Sequence, residues 1–102
     1  MALYLNEVWL NEPSPGRFEE FVRVFEKLQS DAASVGLAPD FRLVAGPWLS
    51  IEEAKAVFVF DTADAAATLP AFGRLLASGL LEKRRLTPLV DWDAAAKFVK
   101  GL

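Results

Sequence analysis

The chain contains no histidine and no cysteine, and those two absences remove most of the familiar catalytic constellations. There is no Ser-His-Asp or Cys-His nucleophile system, no imidazole or thiolate set for zinc, and none of the usual haem ligands. An all-oxygen site for Mg²⁺ or Ca²⁺ would need clustered carboxylates. The acidic groups at hand, Glu52-Glu53, Asp61/Asp64 and Asp91/Asp93, are better explained as turn solvation and helix caps. No metal and no cofactor is therefore expected. What remains is a set of hydrogen-bonding and aromatic side chains, Tyr4, Asn6, Arg42, Trp48, Phe58 and Phe60. Such groups can line a site for a small apolar or aromatic molecule. The plainer assignment makes Asn6 a satisfied buried amide, Tyr4 and Trp48 interface packing, and Arg42 a surface strand residue.

These residues have to be positioned by strands. The most β-prone run is Ala54 to Asp61, apolar on both parities: Ala56, Phe58 and Phe60 on one, Val57 and Val59 on the other. A strand wetted on one side alternates, whereas one buried on both faces does not, so this run is read as a central strand. Ala2 to Leu10 has the same character, with Leu3, Leu5, Glu7 and Trp9 on one parity and Tyr4, Asn6, Val8 and Leu10 on the other. Between them Ser14, Pro15 and Gly16 open a helix, with Ser14 as N-cap. Its apolar stripe is Phe18, Phe21, Val22, Phe25, Leu28, Ala32 and Val35, ended by Gly36. A second strand runs from Phe41 to about Ala45 and stops at Gly46-Pro47, and Trp48 to Glu53 forms a turn.

After Asp61 a helical segment covers Ala65 to Ser78. Pro70 argues for a break, with the second part starting near Thr68 so that the proline falls in a first turn. Gly79 closes it, Lys83-Arg84-Arg85 is a solvated turn, and Arg85 to Val90 is the last strand. Pro88 marks that strand as an edge or a bulge. Asp91 caps a short terminal helix, and Trp92 packs that helix onto the domain.

The order is β-α-β-β-α-β plus a tail, an α+β, ferredoxin-like arrangement in one domain over 1–102. Right-handed crossovers put both helices on one face of a four-stranded antiparallel sheet. The other face is still apolar, and monomers rarely leave several hundred Å² of such surface in water. The economical answer is a two-fold homodimer in which the bare faces meet and the two sheets close around a lumen. Either Tyr4 and Asn6 or Glu7 and Trp9 face the lumen, and periodicity alone does not choose between them; Leu3 and Leu5 suit the helix side, so Tyr4, Asn6 and Val8 are the expected inward set. Phe58 and Phe60 join them, with Val57 and Val59 under the helices. Arg42 would reach an anion in the cleft and Trp48 would cap its mouth.

Composition agrees with a soluble ligand-binding dimer. Hydrophobic residues are 53% of the chain against an average of roughly 45–50%. The net charge is −3, and one basic triplet is a poor nucleic-acid footprint. No run is long enough to span a membrane and no signal peptide is recognisable, so a cytoplasmic protein with no membrane partner is expected.

Three features are similar to the dimeric α/β-barrel superfamily of ferredoxin-like proteins. They are the Pro15-Gly16 helix start, the strand Phe58-Val59-Phe60-Asp61-Thr62, and the last strand Leu86-Thr87-Pro88-Leu89-Val90. The run Thr87 to Ala96 resembles the C-terminal end of one of its uncharacterised domain-of-unknown-function families. The resemblance implies a lumenal ligand site in a homodimer. It also brings activities with it: cofactor-independent quinone-forming monooxygenases, haem-degrading enzymes, polyketide cyclases and muconolactone isomerases. Haem-dependent and cyclase members rely on histidine, which this chain lacks. The monooxygenase members oxidise an acidic phenol in a dry aromatic slot whose donors hold the developing anion. Asn6, Tyr4, Trp48 and Arg42 are the residue types that chemistry uses. Three readings result: a homodimer binding a small aromatic molecule, a cofactor-free monooxygenase or isomerase, and a structural or interaction module with no ligand.

Overall fold

A computed structural model describes residues 2–102. Four strands, β1 (Ala2–Leu10), β2 (Arg42–Ser50), β3 (Lys55–Thr62) and β4 (Leu81–Leu89), form one sheet in the order β2-β3-β1-β4. Every neighbouring pair is antiparallel. Helices α1 (Pro15–Ser30) and α2 (Leu69–Ala77) lie on one face, and α3 (Trp92–Lys100) follows β4. This is the ferredoxin-like β-α-β-β-α-β order with a C-terminal helix.

Local chemistry explains the boundaries. Ser14 accepts a hydrogen bond from the Arg17 backbone N–H, and Pro15 sits in the first turn of α1, where no intrahelical donor is needed. Phe21, Phe25 and Leu28 are its buried stripe. The helix stops at Ser30 rather than Val35, because the Asp31 carboxylate accepts from Ser34 N–H and restarts the chain as a 3-10 turn, Ala32–Val35. Pro70 falls in the first turn of α2, preceded by a separate 3-10 turn, Ala65–Thr68. The side chain of Arg17 ties two turns together: its Nε donates to Asn11 O at 2.8 Å and its Nη2 donates to Gly79 O.

Two strands run further than their sequences suggest. β2 continues through Gly46-Pro47 to Ser50, with irregular pairing on both sides of Ala45. Being an edge strand, β2 tolerates a proline without an N–H. Gly46 holds a φ of +86°, and a Cβ there would come within 2.9 Å of Val57 O and 3.2 Å of Phe58 Cα. Gly46→Ala is therefore expected to lower unfolding free energy by about 1–3 kcal/mol, measurable by urea denaturation. β4 starts at Leu81, so Lys83-Arg84-Arg85 is strand and not a turn. Pro88 is accommodated because β4 is the opposite edge.

The sheet's parity is the reverse of the sequence expectation. Tyr4, Asn6 and Val8 lie opposite Phe60, Phe58 and Ala56 across the β1–β3 pair, all on the helix-covered face. Asn6, Val8, Phe58 and Phe60 are fully buried there. Phe58 is the hub, with ring centroids of Phe25, Phe60 and Phe72 at 5.8, 5.9 and 6.0 Å. Leu3, Leu5, Val57 and Val59, assigned to the helix side, share the open face instead. Two large aromatics on β3 fill the gap beneath two helices better than two valines.

Candidate functional site

Of the six residues singled out by type, four are brought together, but under the helices rather than on the open face. Tyr4 stacks on Phe60 at 5.4 Å, and Asn6 sits beside Phe58. Arg42 and Trp48 are elsewhere. Arg42 is exposed on the β2 edge, and its nearest carboxylate is Asp61 at 4.0 Å. Trp48 is an exposed strand residue, not a turn residue. With Phe21, Phe25, Pro47, Leu49 and Ala56 it lines a cleft of about 130 Å³ between α1 and β2. A void near 150 Å³ takes a molecule about the size of benzene, so this cleft receives at most a group of about that size.

Asn6 turns out to belong to a polar cluster whose other members were missed. Arg84 enters from β4, with its Nε donating to Asn6 Oδ1 at 2.7 Å and its Nη2 donating to Thr68 Oγ1 at 2.8 Å. The Thr68 hydroxyl in turn donates to Ala65 O at 2.7 Å. The guanidinium carbon lies 4.3 Å from the centroid of the Phe72 ring, a cation–π distance. Burial pulls the Arg84 pKa down to about 10, leaving it protonated at neutral pH.

Two features of this cluster are unusual. Among the described residues no carboxylate forms an ion pair with Arg84. Arg84 is half-buried, and its compensation comes from the neutral oxygens of Asn6 and Thr68 and the Phe72 ring rather than from an opposite charge. Beside it, Asn6 Nδ2 is the one buried side-chain polar atom with no hydrogen-bond partner among the described residues. An unmade hydrogen bond of that kind costs about 1–3 kcal/mol. The cluster therefore has positive charge and donor capacity to spare, packed against the Phe72 ring. It suits an acceptor oxygen, above all an anionic one. The clue lay in the triplet Lys83-Arg84-Arg85: read as a strand, its middle cation must point away from its neighbours, onto the covered face.

The open face is divided lengthwise. At one end Leu3, Leu5, Val59, Thr87 and Leu89, with Asp61 opposite Leu3, adjoin by register the end of the sheet where β4 leaves for α3. At the other end Glu7, Trp9, Lys55, Lys83 and Arg85 cluster. Lys55 Nζ bonds Glu7 Oε2 at 2.9 Å, and that bond is the main cause of its raised pKa. Lys55, Lys83 and Arg85 lie 5.0, 4.6 and 5.9 Å from the Trp9 ring. Apart from Asp61, one half of this face is apolar and the other is charged.

Beyond the site, Asp40 secures the connection into β2. Its carboxylate accepts from Ala63 N–H at 2.8 Å and from the Thr62 hydroxyl at 3.2 Å, and the backbone bond is the main cause holding its pKa below 3.8. A carboxylate depressed in the folded state stabilises above its unfolded pKa and loses that contribution as pH falls through the folded value. Asp40→Asn is thus expected to give a shallower loss of stability below about pH 4, read from acid denaturation of the two proteins side by side. No group of three or more potential metal ligands occurs among the described residues. No helix is long and apolar enough to cross a membrane.

Two solved structures share this architecture. An uncharacterized NIPSNAP domain protein from Burkholderia xenovorans superposes with a TM-score of 0.53 at 18% identity, covering 89% of this chain and 94% of the other. Protein Atu4242 from Agrobacterium tumefaciens gives a TM-score of 0.50 at 13% identity, covering 88% and 92%. At these identities the likeness is one of fold. No protein-family model matches the chain and no curated protein matches it in sequence.

Proposed function

We propose that the chain is a homodimer, closed through the open face of its sheet, in which each copy binds a small aromatic molecule bearing a carboxylate or phenolate oxygen. The oxygen is held by Arg84, with Asn6 Nδ2 as the second donor. The observation that carries this reading is the half-buried Arg84 without a carboxylate partner, next to a buried amide donor without any partner. A carboxylate would satisfy both, and charge-assisted hydrogen bonds are about twice as strong as neutral ones. Dimerisation is supported by the exposed Leu3 and Leu89 at the apolar end of the open face.

The test is isothermal titration with benzoate and naphthoate against their uncharged amides. Carboxylates are expected to bind at least about tenfold more tightly than amides, and Asn6→Ala to remove at least about tenfold of that affinity, the worth of one charged hydrogen bond. Equal binding of acids and amides, or affinity unchanged in Asn6→Ala, would overturn the proposal. A second reading, a cofactor-free monooxygenase or isomerase acting on phenols, uses the same donors, which would hold a phenolate as its charge develops. Aerobic incubation with dihydroxy-aromatics, followed by quinone absorbance, separates the two. Turnover that collapses in Asn6→Ala and Tyr4→Phe supports catalysis, and absence of turnover removes it.

A further inference from the structure

The C-terminal helix α3 is well specified locally but is scarcely covered by its own subunit. The Asp91 carboxylate accepts from Ala94 N–H, Asp93 sits in the first turn, and Lys97 and Lys100 sit in the last, each complementing the helix dipole. Yet none of its residues is buried. Trp92 is 82% exposed and Phe98 69% exposed, with Val90, Val99 and Leu102 also open to solvent. A helix of 9 residues is shorter than the roughly 12–15 residues at which isolated helices become even marginal in water. The chain's shape says the same: its radius of gyration is 14.9 Å, against about 13 Å for a compact chain of this length.

We propose that α3 is an exchanged arm that packs on a second copy of this chain, alongside the apolar half of the open face. The proposal rests on the dimer reading above and specifies how that dimer is held. Its first support is continuity. The arm leaves β4 at Leu89, whose register partner is Leu3, so arm and apolar half-face adjoin. The wet half, around Trp9, Lys83 and Arg85, lies at the far end of the strands.

The second support is area. Buried aromatic side chains contribute about 150–250 Å² each, so Trp92 and Phe98 with their aliphatic neighbours offer several hundred Å² per arm. Adding Leu3, Leu5, Val59 and Leu89 brings each copy to the scale of the about 800 Å² per partner that a standard interface buries. Two-fold symmetry makes both contacts twice. A lipid surface is the competing occupant, and the helix is poorly suited to it. Two lysines against one aspartate on α3 make a weak basic face, where interfacial helices are rich in Lys and Arg.

Sedimentation equilibrium of three proteins decides the matter: wild type, the double variant Trp92→Ala/Phe98→Ala, and Leu5→Glu. Thermal melts serve as the folding control, since Trp92 and Phe98 are largely exposed in their own subunit. Wild type is expected to be dimeric at micromolar concentration, and the arm variant to dissociate about a hundredfold more readily, as loss of two aromatic anchors implies. An arm variant as dimeric as wild type, with Leu5→Glu monomeric, would overturn the arm and leave the sheet-face dimer standing. An arm variant that dissociates while Leu5→Glu stays dimeric would overturn the sheet-face reading instead. A monomeric wild type overturns both. Co-flotation of that monomer with phosphatidylserine vesicles would reassign the arm to lipid.

Discussion

Phe58→Ala is expected to lower the unfolding free energy by about 3–5 kcal/mol, among the largest losses available from one side chain in this protein. Phe58 is wholly buried and in ring contact with Phe25 on α1, Phe72 on α2 and Phe60 on its own strand. Truncation leaves a cavity that both helices and the sheet would have to collapse into. Its neighbour Val59, one residue on and on the opposite face, is only partly buried, and Val59→Ala should cost about 1 kcal/mol or less in the isolated subunit. Urea denaturation of the two variants gives the contrast directly. Equal losses at the two positions would mean that the helices cover neither parity in preference.

The second large effect belongs to the polar cluster. Arg84→Met keeps much of the stem that packs on Phe72 but strands Asn6 Oδ1 in the interior without a donor, at an expected cost of about 1–3 kcal/mol. The informative protein is the double variant Asn6→Leu/Arg84→Met. Replacing both partners of a buried polar pair by apolar side chains of similar shape is nearly neutral or stabilising, and Thr68 keeps its bond to Ala65 O. The double variant should therefore recover most of the single variant's loss, by chemical denaturation, while losing carboxylate binding. Such a result would mean that the pair is retained for what it holds rather than for the fold. A double variant less stable than Arg84→Met would make the cluster a structural brace.

Much of the architecture was legible in the residues, and the reasons are local. Ser14-Pro15, the 3.6-residue stripe of α1, Pro70 at the head of α2 and the Asp91 cap each act over a few residues, so each can be read in isolation. The facing of the sheet could not be read that way. Both parities of β1 and β3 are apolar, and hydrophobicity by itself cannot choose between two greasy faces. The discriminating residues are charged and lie on different strands: Glu7, Lys55, Lys83 and Arg85 converge around Trp9 only once the register is known. Reading Lys83-Arg84-Arg85 as a turn hid both that cluster and the inward Arg84. Likewise Gly46-Pro47 reads as a stop, because a strand with two irregular steps has no sequence signature apart from the glycine that permits it. So Asn6 and Tyr4 were picked out by type, while the group that gives Asn6 its chemistry, Arg84, was not.

The facing of the sheet governs both the ligand cluster and the dimer, and the absence of native cysteine allows one clean test of it. Single cysteines are placed at Val8 and at Val59, and their rates of thiol modification are compared across a range of protein concentrations without denaturant. Val59→Cys should label rapidly when dilute and slow as the concentration rises and the open faces meet. Val8→Cys, beneath the helices, should label only as fast as the subunit unfolds, at every concentration. Rapid labelling at position 8, or a rate at position 59 that ignores concentration, would contradict the account.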